Sequence, residues 1–566
     1  MKSVRMLAQT ILVLVLVGTL TLIPALAGAA TITDTLRLVS TGSGGFGGNQ
    51  RSAWPSISGD GTKVAFESRA TDLTDTATNG YYQIFLYDVL SEETSLITAG
   101  PSGVGGNLSS FRPKISEDGS KIAFWSYANN LVGATTTGVM ANVFVYDIND
   151  QSTTRVSVAA EDGRANAGSF DPAISGDGTV VAFTSEATNL VGAEGANGQE
   201  NVFVYDLVTK STTLVSAGPN GSGGNATSNW PAISADGTLV AFASLASDLD
   251  GAPTNNETWN VFVWHSLSEA TYLVSAGPDG TGGNGYAWRP CISDDGWTIA
   301  FSSSATDLGD FAVTNGVRNV FVYNKQTDST TLVSAGPAGT GANDISDRPS
   351  LSYDGTKVAF VSRASDLVGA PTAGGVRDVF VCDMNTGQNT WVSVGAEGAD
   401  SDADSYWPTI SDDGLAVAFD SYANNLLGAP SDTEFEDVFL WQRDITTDTD
   451  EVKVTFDGQN DTTPLVVPVE KGTPVAEPNA PTKNGYTFAG WWTEPVGGVL
   501  WNFADPVNAD MTLYAHWVIN DGPPAEPDVP PTGDREISSL IMTLLGTSVG
   551  MLAVAVAIKK RALYER

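Results

Sequence analysis

Short apolar runs separated by polar turns organise most of this 566-residue chain, and three kinds of run return in a constant order. The first follows an Asp-Gly pair, as at Val64-Ala65-Phe66, and the second reads Val-Phe-Val-Tyr-Asp, as at Val143 to Asp147. The third reads Thr-Thr-Leu-Val-Ser, as at Thr212 to Ser216. Runs rich in β-branched and aromatic residues between turn signals indicate strands rather than helices. The pattern therefore predicts an all-β protein.

A fourth segment, Pro-x-[Ile/Leu]-Ser-x-Asp-Gly, precedes these runs and shows that they belong to a repeat. The first step between copies is 58 residues and the next five are 59. A fixed period means that one supersecondary unit is repeated and buries its apolar face against its neighbours. Four strands per copy is the composition of a β-propeller blade. The prolines that open the seven copies are Pro55, Pro113, Pro172, Pro231, Pro290, Pro349 and Pro408.

The two ends of the repeat region predict how the ring closes. The last copy runs from Trp407 to Gln442 and lacks the Thr-Thr-Leu-Val-Ser strand, but a matching strand, Thr35 to Ser40, stands before the first copy. If that N-terminal strand completes the last blade, every strand edge finds a partner. We therefore expect a seven-bladed β-propeller over residues 35–442, closed by an N-terminal strand.

The repeat resembles the TolB-type, WD-like propeller repeat. The resemblance rests on Pro-x-Ile-Ser-x-Asp-Gly-x-x-Val-Ala-Phe, Asn-Val-Phe-Val-Tyr-Asp and Thr-Thr-Leu-Val-Ser, and it covers the whole of residues 35–442. The family contains binding platforms as well as accessory domains of peptidases. The resemblance thus implies a fold far more than an activity.

The two termini carry signals for export and anchoring. Residues 1–29 combine Lys2 and Arg5, an apolar stretch and Ala27-Gly28-Ala29, which is typical of a secretory signal peptide. Residues 537–558 form an apolar run long enough for a transmembrane helix, and a basic tail that should stay cytoplasmic follows it. The mature domains are therefore expected outside the cell.

Within residues 529–566, the segment Val529-Pro530-Pro531-Thr532-Gly533, followed by the apolar helix and the basic tail, resembles a Gram-positive sortase sorting signal. Val529 stands where the usual motif has Leu, which leaves the sortase class open. The resemblance implies cleavage between Thr532 and Gly533 and joining of Thr532 to cell-wall peptidoglycan. The alternative is a helix that remains in the membrane as a permanent anchor. Either way the protein lies on the outer face of a Gram-positive bacterium.

A second domain follows the repeats. After an acidic linker, residues 443–450, the composition changes, and residues 451–518 contain Gly485-Tyr486-Thr-Phe488-Ala-Gly490-Trp491-Trp492 and Thr512 to Trp517. This pattern resembles the Listeria–Bacteroides repeat, the B-repeat of internalin-like surface proteins. It implies a small β-grasp-like module that serves as a stalk or adhesion unit. Residues 519–528 then form a Pro-rich spacer.

Charge and composition exclude several functions. The net charge of −37 excludes nucleic acid as a natural partner, because binding phosphates needs a basic surface. With two histidines and no catalytic signature, the chain favours a non-enzymatic role, and we expect no cofactor or metal. Asp400, Asp402 and Asp404 form an acidic loop without the Gly and Glu of a calcium-binding EF-hand. A two-carboxylate glycosidase remains open.

The residue before each repeat proline is the best candidate for ligand binding, because it should lie at the mouth of the central channel. Aromatic rings beside guanidinium groups suit a sugar or an anionic polymer. The alternative is that the aromatics pack between blades and the arginines pair with neighbouring aspartates. The seven candidates are Trp54, Arg112, Asp171, Trp230, Arg289, Arg348 and Trp407.

These observations favour a cell-wall-anchored binding or adhesion protein. Its propeller would present a loop face to an extracellular carbohydrate or protein, because variable loops on a rigid frame are common binding sites. The alternative is an extracellular polysaccharide hydrolase or lyase that uses carboxylates in the channel.

Overall fold

The computed structural model describes residues 31–446 and 451–520, apart from short gaps at 134–139, 160–162, 193–197, 219–220, 250–253, 255–257, 314–315, 337–338, 369–374, 428–434 and 461. The predicted signal peptide, sorting motif and transmembrane helix lie outside these residues. The chain divides into two compact units, with the repeats in the first and residues from 448 onward in the second. Within the described residues no helix is long and apolar enough to cross a membrane.

The first unit is all-β, and its described residues form seven four-stranded antiparallel sheets with a period of one repeat. Sheet 1 consists of β2 (Ser52–Ile57), β3 (Lys63–Ser68), β4 (Gln83–Asp88) and β5 (Glu93–Leu96). Sheet 2 consists of β6 (Ser110–Ile115), β7 (Lys121–Ser126), β8 (Asn142–Asp147) and β9 (Ser152–Arg155). A small hairpin, β10 (Val158–Ala159) and β11 (Gly163–Arg164), follows sheet 2.

The middle three sheets repeat the same arrangement. Sheet 3 consists of β12 (Ser169–Ile174), β13 (Val180–Ser185), β14 (Asn201–Asp206) and β15 (Ser211–Leu214). Sheet 4 consists of β16 (Ser228–Ile233), β17 (Leu239–Ser244), β18 (Asn260–His265) and β19 (Ala270–Leu273). Sheet 5 consists of β20 (Ala287–Ile292), β21 (Thr298–Ser303), β22 (Asn319–Asn324) and β23 (Ser329–Leu332).

The last two sheets end the unit. Sheet 6 consists of β24 (Ser346–Leu351), β25 (Lys357–Ser362), β26 (Asp378–Asp383) and β27 (Gln388–Trp391), and a short 3-10 helix at Ala396–Gly398 follows it. Sheet 7 consists of β28 (Ser405–Ile410), β29 (Ala416–Ser421), β30 (Asp437–Thr446) and the N-terminal strand β1 (Thr31–Leu38).

The N-terminal strand is the outer strand of the last sheet, where the sequence placed it. It pairs antiparallel with β30 from Thr31 opposite Thr446 to Leu38 opposite Phe439. Both strands pass the expected limits of the repeat region: β1 begins four residues before residue 35, and β30 ends four residues after residue 442. Arg443, which the sequence assigned to the linker, lies in β30 and binds both carboxylate oxygens of Asp34 at 2.8 Å.

Backbone hydrogen bonds join the seven sheets in a circle. In six sheets the residue before the Asp-Gly turn donates its backbone N–H to the carbonyl of the matching residue in the next sheet. In sheet 2 the donor is instead Asp118, the aspartate of the turn itself. The last of these bonds runs from Asp412 of sheet 7 to Gly59 of sheet 1 at 2.9 Å. The accepting residues are Glu117, Gly176, Ala235, Asp294, Tyr353, Asp412 and Gly59.

The core repeats with the sheets. In each sheet a phenylalanine on the second strand lies opposite one on the third, as with Phe66 and Phe85, whose ring centroids are 5.8 Å apart. Both of these side chains are fully buried. Burying a phenylalanine contributes about 1.5–3 kcal/mol relative to leaving it exposed. The sevenfold Val-Ala-Phe and Val-Phe-Val motifs therefore supply the apolar layers between neighbouring sheets.

The second unit is a small mixed sheet in the order β32, β31, β36, β34. Its strands are β31 (Glu451–Asp457), β32 (Leu465–Glu470), β33 (Thr473–Pro474), β34 (Tyr486–Trp492), β35 (Pro506–Val507) and β36 (Met511–Ile519). The central strands β31 and β36 run parallel. Trp491 is buried and packs edge-on against Phe456 with a centroid distance of 4.9 Å, so this aromatic belongs to the core, as the sequence indicated.

Candidate functional site

Each of the seven candidate residues lies at an irregularity in the first strand of its sheet. In sheet 1 the pairing is regular up to Ala53 opposite Glu67 and resumes at Ser56 opposite Ala65, so that Trp54 and Pro55 lie opposite one residue. This is a β-bulge, which redirects a side chain and tolerates a proline that cannot donate a ladder hydrogen bond. The repeat proline is thus part of the bulge that directs the side chain of the residue before it.

The backbone of all seven candidates is in the left-handed region. Their φ angles range from 46° to 57°, although none of them is a glycine. This conformation costs an ordinary residue roughly 1–2 kcal/mol. Its recurrence at one position in every sheet means that the surrounding structure holds it, and such strain is common at binding sites.

Side chains of the neighbouring sheets hold the bulges in place. The carboxylate of Glu67 accepts a hydrogen bond from the backbone N–H of Arg112 at 2.7 Å, and that of Asp420 accepts one from Trp54 at 2.9 Å. Ser302 accepts one from Arg348 at 3.2 Å. Burial raises the pKa of Glu67 to about 7 and raises the pKa of Asp420 well above its usual range.

The side chains of all seven candidates form one network, the mouth network. Trp54 stacks on Trp407 with centroids 3.4 Å apart, Arg112 lies over Trp54 at 4.3 Å, and Arg112 pairs with Asp171. Arg348 lies over Trp407 at 4.1 Å. Arg289 connects Trp407 at 4.8 Å with Trp230 at 5.6 Å.

The network divides the three tryptophans into two kinds. Trp54 and Trp407 stack on each other with centroids 3.4 Å apart, and each also has an arginine over its ring, Arg112 at 4.3 Å and Arg348 at 4.1 Å. Trp230 has no parallel ring against it, since its neighbour Trp259 is tilted by 38° at 5.6 Å. The parallel stack thus distinguishes Trp54 and Trp407 from Trp230, which has a tilted neighbour and Arg289 at 5.6 Å.

The mouth network lines a cavity of about 270 Å³, and residues from the first strands of all seven sheets contribute to its lining. Its charged lining residues are four cations, Arg112, Lys114, Arg289 and Arg348, and one carboxylate, Asp171. This balance is opposite to the chain's net charge of −37. Such a local field attracts anions.

Two arginines of the network keep unused hydrogen-bond donors. Nη1 of Arg289 and both Nε and Nη1 of Arg348 are buried without a hydrogen-bond partner among the described residues. The nearest carboxylate to Arg289 is Asp347, whose Oδ2 lies 3.9 Å from Nη1 and which also pairs with Arg318 at 2.8 Å. Burial and the neighbouring Arg289 lower the pKa of Arg348 to about 10.

A second cluster lies two or three residues beyond the part of the first strands that lines the cavity. One carboxylate oxygen each of Glu117, Asp294 and Asp412 lies within 4.8 Å of the other two. A Cβ at Gly59 would overlap the Asp412 carboxylate, and one at Gly176 would overlap that of Glu117. Burial and the two neighbouring carboxylates raise the pKa of Asp294 to about 10. This acidic cluster is the set of described residues that could hold a divalent cation, because Ca²⁺ and Mg²⁺ prefer oxygen ligands.

The acidic loop at Asp400 to Asp404 is engaged in other contacts. Asp402 accepts a hydrogen bond from the backbone N–H of Asn424 at 2.8 Å, and its own N–H donates to Asn425 at 3.2 Å. Asp404 pairs with Arg377 at 2.9 Å. In the other sheets asparagine takes the place of Asp402, as Asn49 does with Asp72 at 3.0 Å. These reciprocal hydrogen bonds between two loops explain why Asn and Asp recur at these loop positions in every sheet.

Sequence reasoning missed Lys114, the supporting Glu67 and Asp420, and the acidic cluster. All of them stand at variable positions of the repeat. The position before Asp-Gly, for example, is Gly, Ala or Tyr in four copies and acidic at Glu117, Asp294 and Asp412. An alignment of the seven copies by position would have shown the three acids on one ring.

Comparison with known proteins identifies the second unit. Residues 453–516 match the Listeria-Bacteroides repeat domain. Internalin H of Listeria monocytogenes is 54% identical over 48 residues, which is 8% of this chain and 9% of that protein. The chain therefore spans less than a tenth of that relative's length. The repeat domain and this relative indicate a cell-surface protein.

The first unit resembles solved propeller structures. An oligogalacturonate lyase of Vibrio parahaemolyticus is 13% identical, with a TM-score of 0.42, and the match covers 73% of this chain and 98% of that one. TolB of Acinetobacter baumannii is 15% identical, with a TM-score of 0.33, over 64% of this chain and 76% of that one. These likenesses concern the fold alone.

Proposed function

We propose that this protein is a cell-surface binding or adhesion protein of a Gram-positive bacterium. Its seven sheets would form a seven-bladed propeller whose channel mouth recognises an extracellular carbohydrate or protein. The Listeria-Bacteroides repeat would act as a stalk, and the sorting signal would join the chain to peptidoglycan through sortase.

One observation carries the proposal: the mouth network is built on seven strained bulges and surrounds a cavity with a cationic lining. Packing alone does not require a left-handed tryptophan, arginine or aspartate at the same position of every sheet. Buried arginines with unused donors are also costly unless an acceptor reaches them. A ligand with anionic or hydroxyl oxygens would supply those acceptors.

The alternative, a carboxylate-dependent polysaccharide hydrolase or lyase, has less support. Such an enzyme needs two carboxyl groups beside the scissile bond. Among the residues that line the cavity, Asp171 is the one carboxylate, and Arg112 pairs with it. Binding is therefore the function that the cavity fits better.

The experiment that separates the two functions is a screen of the ectodomain, residues 31–520. We expect saturable binding to one class of glycan or surface protein on arrays, without release of new reducing ends from the same glycans. Reducing ends that accumulate with time and enzyme concentration would instead establish the hydrolase or lyase. An ectodomain that binds nothing on either array would contradict the binding function.

Anchoring gives a separate prediction. In Thr532→Ala the carbonyl that sortase must attack belongs to a different residue, so the protein should remain in the membrane fraction instead of the wall. The measurement is fractionation after digestion with a muralytic enzyme. Val529→Leu restores the usual first residue of the motif and should leave wall attachment intact. Wall attachment of Thr532→Ala that resists detergent would contradict the sorting signal.

A further inference from the structure

One layer below the mouth network, a single lysine faces the cavity. The residue after each repeat proline forms this layer, and six of its seven members are small and uncharged. The seventh, Lys114, lies on β6 of sheet 2, is exposed, and lines the cavity. The layer consists of Ser56, Lys114, Ala173, Ala232, Cys291, Ser350 and Thr409.

Lys114 has no compensating partner. No hydrogen bond or ion pair joins its ammonium group to another described residue, and the nearest carboxylate in the lining, Asp171, is already paired with Arg112. Desolvation by the cavity walls and the charge of Arg112 lower the pKa of Lys114. An unpaired ammonium group in a concave site whose other charged lining residues are three arginines and one paired aspartate attracts an oxyanion.

The size and walls of the cavity restrict what that oxyanion can belong to. About 270 Å³ is near the lower end of small-molecule sites, which admits one sugar ring rather than a drug-sized ligand. Trp230 lines the same cavity and offers an aromatic face, and Arg289 lies beside it at 5.6 Å. Aromatic faces pack against sugar rings, while guanidinium groups donate to hydroxyl and carboxylate oxygens.

We propose that the cavity binds a carboxylated monosaccharide unit, with its carboxylate at Lys114 and its ring against Trp230. This inference rests on the proposed binding function and names the chemistry of its ligand. The unit is either a free acidic sugar or one residue of a longer acidic glycan, since both present the same carboxylate and ring. Neutral sugars of the same shape lack the group that Lys114 recognises.

The test compares D-glucuronate with D-glucose on the ectodomain, by calorimetric titration and saturation-transfer NMR. We expect glucuronate to bind and glucose to bind at least tenfold more weakly. Lys114→Met keeps the length of the side chain without its charge, and it should lower glucuronate affinity at least tenfold while leaving glucose unaffected. Lys114→Arg should retain affinity within about threefold, because the charge remains. Lys210→Met, at an exposed turn, is the matched control and should bind as the wild type does.

A second measurement avoids any doubt about folding of the variants. Glucuronate should slow the reductive methylation of Lys114 in the wild-type protein, as followed by mass spectrometry, and leave Lys210 unaffected. Equal binding of glucuronate and glucose, wild-type affinity in Lys114→Met, or no protection of Lys114 would each overturn the inference.

Failure here is distinguishable from failure of the proposed function. If a ligand found on the arrays loses affinity in Trp230→Ala but not in Lys114→Met, the binding function stands and the acidic-sugar site does not. An oligosaccharide that binds much more tightly than glucuronate and also depends on Lys114 would identify a glycan as the source of the acidic unit.

Discussion

Deleting residues 31–40 should unfold or aggregate the first unit, because this removes the outer strand of sheet 7. Leu36 and Leu38 pack against the core of that sheet, and Val39 is fully buried. Full burial of such a side chain contributes about 1.5–3 kcal/mol, and partly buried Leu36 and Leu38 contribute less than Val39, so the loss should exceed roughly 3 kcal/mol. The deletion also leaves β30 as an exposed edge strand, which is a template for aggregation.

The measurements are differential scanning calorimetry and size-exclusion chromatography of residues 31–446 with and without the strand. Asp34→Ala is a matched control within the same strand. It removes the exposed pair with Arg443 and should cost less than about 1 kcal/mol. Addition of a peptide of residues 31–40 should restore part of the stability. A truncated protein that melts cooperatively at the wild-type temperature would contradict closure by β1.

Asp294→Asn should stabilise the protein at alkaline pH. Burial and the carboxylates of Glu117 and Asp412 raise the pKa of Asp294 from 3.8 to about 10. When the pKa of an acid is higher in the folded than in the unfolded state, its favourable contribution to the free energy of unfolding is complete below the unfolded-state pKa. This contribution is lost as the pH rises through the folded-state pKa. The wild type should therefore lose stability between about pH 4 and pH 10. The amide of the Asp294→Asn variant is neutral over this whole range. The free energy of unfolding of the variant should therefore exceed that of the wild type by roughly 1–3 kcal/mol at pH 9.

The measurement is the melting temperature from pH 5 to pH 9 in the presence of a chelator, so that no cation takes the place of the protons. Asp310→Asn changes an exposed aspartate in the connection between β21 and β22, and this control should follow the wild-type curve. If Asp294→Asn is no more stable than the wild type at pH 9, burial and the neighbouring carboxylates do not raise the pKa of Asp294 as described.

The repeat and its strand order could be predicted because periodicity is a local property of the sequence. Apolar runs, Asp-Gly turns and a constant spacing identify four strands per copy without knowledge of any contact. The position of β1 also followed, since one strand was missing at one end and in excess at the other. The limits of that strand were less accurate, because Asp34 and Arg443 look like linker residues until the two strands pair.

The site could be predicted only as a set of positions. The residue before each proline was identified, but its left-handed backbone depends on a bulge that the chain pattern does not reveal. That Trp54 and Trp407 stack on each other, while Trp230 does not, depends on side-chain directions across sheets far apart in sequence. Lys114 was overlooked because a single lysine at a variable position resembles an ordinary surface residue.

The proposed role of the mouth network is to bind a ligand, and the alternative is that its side chains only pack against one another. The most direct measurement is the affinity of Trp230→Ala and Arg289→Ala for the tightest ligand found on the arrays, with the melting temperature measured beside it. Trp54→Ala serves as the packing comparison, and Trp297→Ala, an exposed tryptophan outside the cavity lining, serves as the neutral control.

We predict that Trp230→Ala loses about 1–3 kcal/mol of binding energy, as aromatic platforms do, with little change in melting temperature. Arg289→Ala should weaken binding most at low salt. Trp54→Ala should mainly lower the melting temperature, and Trp297→Ala should change neither quantity. A large loss of stability with unchanged affinity in Trp230→Ala and Arg289→Ala would contradict the account and reduce the mouth network to packing.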